Sequence, residues 1–89
     1  MIRRRVRYAG RVQGVGFRAT AADMARRFAV TGWVRNEPDG TVLLEVQGST
    51  GEADRFLGEL AGAMGRNIAS AQADELAPDP EERGFRVRH

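Results

Sequence analysis

The stretch GRVQGVGFR, residues 10–18, marks the point at which this chain changes from strand to helix. Before it, residues 2–9 place Ile2, Val6 and Tyr8 on one side, in the two-residue period of a strand. After it, apolar residues recur at the spacing of one helical face: Ala21, Met24, Ala25 and Phe28. The glycines in between allow a turn in which successive backbone N–H groups converge on one anion. The stretch therefore predicts a strand, an anion-binding loop and a helix, in that order.

Arg18 ends this stretch and is expected at the start of the helix. A guanidinium there can hold an anion through two parallel hydrogen bonds, and the unpaired N–H groups of a helix N-terminus add to the attraction. The candidate phosphate-binding groups are Arg18 and the backbone amides of Gln13, Gly14, Val15, Gly16 and Phe17. Taken alone, Arg18 would more often be a surface ion-pair partner and the glycines would only relieve a tight turn; their adjacency favours a binding role.

Composition limits the chemistry that the chain can perform. Its 89 residues predict one domain, 1–89, and the chain has no cysteine and a single histidine, His89. The lack of cysteine excludes disulfides, a thiol nucleophile and thiolate metal sites, and one histidine argues against a Ser-His-Asp relay or a polyhistidine metal site. We therefore expect no metal and no cofactor. No stretch is long enough to span a bilayer, so no membrane association and a cytoplasmic location are expected.

The positive charge of the chain is modest. The net charge is +2, and all 14 basic residues are arginines. Arg3, Arg5 and Arg7 share one face of the first predicted strand and could line a nucleic-acid surface, but a solvated outer sheet face is the simpler interpretation. Because aromatic residues that could stack on bases are scarce, we expect no nucleic-acid partner.

The middle of the chain predicts a hairpin followed by a helix. Strands are expected at 30–36 and 41–47, joined by the turn residues 37–40, which include Pro38 and Gly40. Ser49 and Glu52 have the spacing of a capping box, and Gly65 is a plausible helix end. Between them runs one apolar helical stripe: Ala53, Phe56, Leu57, Leu60, Ala61 and Met64.

The last third of the chain carries a weaker pattern. Residues 68–76 predict a strand with a poor, alanine-rich apolar face, residues 77–84 predict an exposed loop, and Phe85 and Val87 alternate with arginines as in a short final strand. The order βαββαβ, with a small extra strand, predicts an α+β fold: a ferredoxin-like α/β sandwich. Two helices would cover one face of an antiparallel or mixed four- to five-stranded sheet, and the other face would be open to water.

This topology brings distant residues together. A right-handed crossover makes the first two strands parallel, so that their carboxyl ends meet the same edge of the sheet. Arg18 follows the first strand and Asn36 ends the second. We therefore expect the two side chains to face one crevice, although Asn36 alone could simply be a turn former before Pro38.

The two blocks GRVQGVGFR, 10–18, and TGWVRNEPDG, 31–40, resemble the paired signature of the acylphosphatases, and the order of elements is similar across nearly the whole chain. In that family the arginine of the first block binds phosphate with help from the loop amides, and the asparagine of the second orients the attacking water. The resemblance assigns those catalytic roles to Arg18 and Asn36. It implies hydrolysis of small acyl phosphates to a carboxylate and inorganic phosphate. The chain departs from the family at Ala19, where an aromatic residue is common, and in the alanines after Ile68.

Other interpretations stay open at this point. The chain could be a non-catalytic anion-binding or regulatory module of ferredoxin-like fold, or a nucleic-acid binder that uses its arginine face. Related domains occur in larger carbamoyl-transferring proteins, although this chain is expected to be too short to include their partner domains. Thr41 could buttress Asn36 or be an ordinary strand threonine. The side chains of Phe17 and Trp33 are expected to be packing anchors, Arg11 and Arg35 are expected to be solvated, and the domain is expected to be a monomer.

Overall fold

The computed structural model describes residues 1–89, and its elements follow the predicted order. There are five strands and two helices: β1 Ile2–Gly10, α1 Phe17–Ala25, β2 Val30–Asn36, β3 Val42–Gly48, α2 Thr50–Met64, β4 Ile68–Leu76 and β5 Phe85–Arg88. The weakly patterned strand at 68–76 is present as β4, and β3 begins one residue later than expected.

The five strands form one mixed sheet in the order β4-β1-β3-β2-β5. Both β1 and β2 pair antiparallel with β3, which lies between them, so they run parallel to each other and their carboxyl ends reach the same edge. The short strand β5 pairs parallel with β2 and forms one edge of the sheet. Three carboxyl ends, those of β1, β2 and β5, therefore meet at one end of the molecule. The ferredoxin-like α/β sandwich predicted from the order of elements is confirmed.

Both helices pack on the same face of the sheet, around Phe56 of α2. The ring of Phe56 is fully buried, and its centroid lies 5.6 Å from that of Phe85 and 6.1 Å from that of Phe28. The predicted helical faces supply most of the remaining core from the helix side, and the sheet contributes alternate residues: Val6, Tyr8, Val34, Val42, Leu44 and Val46. Burial of this apolar face holds the two helices against the sheet.

The start of α2 uses only half of the predicted capping box. The Ser49 hydroxyl accepts a hydrogen bond from the Glu52 backbone N–H at 3.2 Å, as expected for an N-cap. The Glu52 carboxylate does not return to Ser49; it accepts from the Ala29 N–H at 2.8 Å and from Arg55. The hydrogen bond from Ala29, and after it the one from Arg55, lowers the pKa of Glu52. Glu52 therefore ties α2 to the turn after α1.

The second face of the sheet is open to water only in part, because β4 is exposed along nearly its whole length but part of β1 and β3 is covered. Arg3 is only 5% exposed, and Glu45 and Gln47 beside it on β3 are also buried. The 77–84 segment, expected to be an exposed loop, folds onto this face: Glu82 accepts two hydrogen bonds from Arg3, at 2.8 and 3.0 Å. Gln47 exchanges two hydrogen bonds with the backbone of Asp79. A residue pattern cannot show this cover, because the arginines and their acidic partners each look like solvated residues in the sequence.

Hydrogen bonds set the charge states of this buried network. The Glu82 side chain, with help from Glu45, raises the pKa of Arg3 despite its burial. Burial alone would raise the pKa of Glu82, but hydrogen bonds from Arg3 and Thr31 outweigh burial and lower it. Arg5, at the rim, pairs with Glu45 at 2.7 Å. The arginine face is thus largely neutralised by carboxylates.

Candidate active site

The loop between β1 and α1 adopts the left-handed turns that its glycines permit. Gly14 has φ 76° and Gly16 has φ 79°, values that L side chains rarely adopt. A Cβ added at either position would meet no atom within 4 Å, so backbone conformation and not crowding calls for glycine there. Gly16 immediately precedes α1 and accepts its first helical hydrogen bond, from the Thr20 N–H at 2.9 Å. The loop therefore delivers the N-terminus of α1 directly to the end of β1.

The side chain of Gln13 holds this loop against the β2–β3 turn. Its amide nitrogen donates to the carbonyl oxygens of Glu37 at 2.8 Å and Thr41 at 2.9 Å. Beneath the loop, Val12 is buried in the core. The sequence pattern points only to the backbone amide of Gln13 and does not reveal this bridge between the loop and the hairpin that carries Asn36.

One cavity of about 240 Å³ lies at the end of the sheet where β1, β2 and β5 terminate. Arg18, from the first turn of α1, and Asn36, the last residue of β2, both line it. Gly14 and Gly16 form the loop side of the cavity. The parallel arrangement of β1 and β2 is the physical reason that two residues remote in sequence reach one space.

Of the other residues predicted to bind phosphate, Phe17 lines the cavity, but Gln13 and Val15 do not. Phe17 lines the cavity, while its ring packs 4.8 Å from that of Tyr8 in the core. Burial raises the pKa of the Tyr8 phenol, which therefore stays neutral below the ring of Phe17. The side chain of Val15 points to solvent, and neither Val15 nor Gln13 is among the residues that line the cavity. The Phe17 ring, together with Tyr8, thus anchors this side of the cavity in the core.

Three residues of the cavity were not identified from the sequence: Val12, Val87 and His89. His89 Nδ1 lies 3.2 Å from a terminal nitrogen of the Arg18 guanidinium. The alternation of Phe85, Val87 and His89 places all three on the same side of the final strand. That alternation is in the sequence, but the parallel pairing of β5 with β2, which brings His89 to Arg18, is not.

Two neighbouring side chains, those of Thr41 and Arg35, make polar contacts that the sequence did not predict. The Thr41 hydroxyl donates to Asp39 at 2.6 Å and accepts from Arg7 at 3.0 Å, so it does not donate to Asn36. These hydrogen bonds from Thr41, from its side chain and then its backbone, lower the pKa of Asp39. Arg35, expected to be solvated, pairs with Glu37 at 2.9 Å and lies over the Trp33 ring at 4.9 Å. The hairpin beside the cavity is therefore cross-linked by its own polar side chains.

The family model described as Acylphosphatase matches residues 4–87 of this chain. The acylphosphatase of Oceanobacillus iheyensis is 40% identical over 87 residues, which cover 96% of each chain. The chain belongs to the acylphosphatase family. This confirms the resemblance carried by the two blocks at 10–18 and 31–40.

Solved structures of the family share the fold. The crystal structure of acylphosphatase from Bacillus subtilis superposes with a TM-score of 0.88, at 24% identity and with all of both chains covered. An acylphosphatase structure from Coxiella burnetii gives a TM-score of 0.75 at 29% identity, covering 98% of this chain and 92% of that one. None of the helices of the chain is long and apolar enough to cross a membrane.

Proposed function

We propose that the cavity at the end of β1, β2 and β5 is the site where this chain hydrolyses the carboxyl-phosphate bond of acyl phosphates. The reaction class follows from membership of the acylphosphatase family. The proposal assigns phosphate binding to Arg18 and the Gln13 to Phe17 amides, and water orientation to Asn36. The observation that carries it is the presence of Arg18 and Asn36 in one cavity beside a helix N-terminus.

The proposed phosphate-binding groups are the backbone N–H groups at the start of α1 and one cationic side chain, that of Arg18. The N-terminus of α1 presents backbone N–H groups and partial positive charge to the cavity, and the left-handed glycines shape the loop in front of it. The Arg18 side chain has one polar contact, with His89, so that most of its five N–H groups remain for phosphoryl oxygens. This arrangement stabilises negative charge on the transferring phosphoryl group.

Hydrolysis then needs a positioned water and no strong acid. The Asn36 carboxamide oxygen accepts a hydrogen bond from the water, whose oxygen attacks phosphorus as the acyl oxygen–phosphorus bond breaks. The leaving carboxylate is stable without a proton, and one proton of the water passes to a phosphoryl oxygen. The products are the carboxylate and inorganic phosphate. No step calls for a metal or a cofactor.

The wider assignments made from the sequence are part of the same proposal. We propose that residues 1–89 act as one monomeric domain in the cytoplasm, on small acyl phosphates. Among the large apolar side chains only Met1, at 76%, and Val15, at 42%, are highly exposed, which supports a monomer. The pairing of Arg3 and Arg5 with Glu45 leaves little of a basic surface, which supports the absence of a nucleic-acid partner.

The role of Asn36 separates the enzyme from a phosphate-binding module. In Asn36→Ala, kcat for acetyl phosphate is expected to fall by roughly two orders of magnitude, while inhibition by inorganic phosphate stays within about twofold of wild type. The matched control is Asn67→Ala, which changes the chain's other asparagine, outside the cavity, and should retain wild-type kcat.

Three results would contradict the proposal. Near-normal kcat in Asn36→Ala would remove Asn36 as the residue that orients water. Loss of phosphate inhibition in that variant would make Asn36 a binding residue. Phosphate binding by the wild type without any hydrolysis of acetyl phosphate would favour the non-catalytic anion-binding module.

A further inference from the structure

A groove of about 620 Å³ runs between α1 and the edge of the sheet, beside the phosphate cavity. Only two charged residues line it: Asp23 of α1 and Arg26, which directly follows α1. The apolar residues that line it are Ala19, Ala22, Ala25, Phe28, Val30 and Phe85. Apolar residues thus outnumber charged ones along the groove, although its lining also exposes polar atoms; the cavity next to it contains Arg18, Asn36 and His89.

The groove and the cavity adjoin each other at Ala19, which lines both of them and has a small side chain. On α1, Arg18 in the cavity is followed one turn later by Ala22 in the groove. On β5, Val87 in the cavity and Phe85 in the groove lie two positions apart, on the same side of the strand. One helix and one strand therefore form the walls of both spaces.

Three large apolar side chains keep exposed surface in this groove. Phe28, Val30 and Phe85 pack against the core but are only half-buried. A ligand that covered them would remove further apolar surface from water, which is favourable for binding. The structure thus places water-exposed apolar surface directly beside the groups that would hold a phosphoryl group.

We propose that this groove binds the apolar part of the acyl group and selects medium-chain aliphatic acyl phosphates over acetyl phosphate. The inference rests on the proposed function, because a phosphoryl group at Arg18 directs the acyl end past Ala19 into the groove. Along α1 the distance from Ala19 to Arg26 is about 10 Å, roughly the reach of an eight-carbon acyl chain. Arg26 and Asp23 then lie at the rim, where they stay hydrated.

The first test is a substrate series from acetyl to octanoyl phosphate. For the wild type, kcat/KM is expected to rise about two- to fourfold for each added methylene until the chain fills the groove. Because the phosphoryl end is the same throughout, the gain measures contacts of the acyl chain alone. Straight-chain alkylphosphonates, used as inhibitors, should show the same dependence in their Ki values.

The second test fills the groove. Ala22 lines the groove but not the cavity, and in Ala22→Phe the ratio of octanoyl to acetyl kcat/KM is expected to fall by at least about tenfold. Ala63→Phe is the matched control, since Ala63 is exposed on α2 and lines neither space. This control should keep the wild-type ratio. The alkylphosphonate series on the wild type needs no variant and decides the matter if Ala22→Phe does not fold.

Each result separates this inference from the proposed function. Failure of the wild type to hydrolyse any member of the acetyl to octanoyl series would contradict the proposed function. Hydrolysis of the whole series at equal kcat/KM, with equal Ki values for the phosphonates, would overturn the acyl groove and leave the proposed function intact. A wild-type dimer that dissociates in Ala22→Phe would show that a second copy of the chain covers the groove, and would also overturn the inference.

Discussion

Arg3 and Arg18 carry the same guanidinium but lie in opposite surroundings. Arg3 is on the sheet face that the 77–84 segment covers, with its side chain 6% exposed and paired with both Glu45 and Glu82 at 2.8 Å. Arg18 is at the start of α1, on the other face, where its one side-chain hydrogen-bonding partner is His89. Arg3 also donates to Gln47 at 3.0 Å. One arginine is thus saturated by protein acceptors and the other is not.

The difference suggests what each guanidinium does. Burying a guanidinium is costly unless its N–H groups donate to acceptors. The carboxylate and amide partners of Arg3 offset that cost and make its burial possible. A half-buried guanidinium beside a cavity, with N–H groups to spare, is able to bind an anion that arrives from solution. We therefore expect Arg3 to matter for stability and Arg18 for activity.

Replacing Arg18 should give the largest effect on activity. In Arg18→Ala we expect kcat/KM for acetyl phosphate to fall by about 10³-fold or more, because the phosphoryl group loses its charged donors. Inhibition by inorganic phosphate should be lost with it, while the free energy of unfolding changes by less than about 0.5 kcal/mol. Arg11→Ala, an exposed arginine of the same loop that does not line the cavity, is the control. Unchanged phosphate inhibition in Arg18→Ala would contradict this role.

Replacing Arg3 should give the opposite result. In Arg3→Met, Glu45 and Glu82 lose their buried partner, and the free energy of unfolding should fall by about 3 kcal/mol or more. In Arg5→Met, where the arginine side chain is 45% exposed, we expect a loss below about 1 kcal/mol. Denaturant unfolding of both variants measures this contrast, and kcat of the folded protein should stay near the wild-type value. Equal losses in the two variants would show that burial of Arg3 does not set its contribution.

The contrast between the two arginines is only half visible in the sequence. The position of Arg18 follows from the glycine-rich loop and the helical period after it, and that of Asn36 follows from the β–α–β order, so the residue pattern is enough to place both. It is not enough for Arg3, because strand alternation gives the face on which a residue lies and not what covers that face. The same limit hides Glu82 in a segment of prolines and charges that looks like an ordinary loop.

His89 and the groove show a second limit. Periodicity predicts that a final strand exists, but its neighbour in the sheet depends on which edge is free after β1, β2 and β3 have paired. Only the pairing of β5 with β2 brings Val87 and His89 to Arg18 and Phe85 to α1. Local signals in the sequence can thus predict cavity-lining residues on α1 and β2, such as Arg18 and Asn36, and not those on the edge strand.

The pairing of Glu82 with Arg3 should be visible as a dependence of stability on pH. The pKa of Glu82 is lower in the folded protein, so its ionised form stabilises the fold above the ordinary glutamate value of about 4.3. That contribution is lost as the pH falls from this value through the lower pKa of the folded state. Glu82→Gln should therefore be less stable than wild type at pH 7, by about 1–2 kcal/mol.

The comparison of wild type with Glu82→Gln across pH makes this prediction specific. The difference in their free energies of unfolding, measured from pH 7 down to pH 3, should shrink toward zero at the acid end. Glu81→Gln, an exposed neighbour in the same segment, is the control and should show little difference at any pH. A difference that stays constant from pH 7 to pH 3 would mean that ionisation of Glu82 does not contribute.

The smallest effect is expected on α2, away from both arginines. Gly58 and Gly62 are exposed in this helix, and a Cβ added at either would meet no atom within 4 Å outside the helix's own backbone. Since glycine costs a helix up to about 1 kcal/mol relative to alanine, Gly58→Ala and Gly62→Ala should each raise the free energy of unfolding by about 0.5–1 kcal/mol. Gly65→Ala is the contrasting variant, because its Cβ would lie 2.8 Å from the carbonyl oxygen of Ala61, and it should bring no gain. A gain of equal size in Gly65→Ala would show that flexibility of the unfolded chain, and not space on the helix, sets these values.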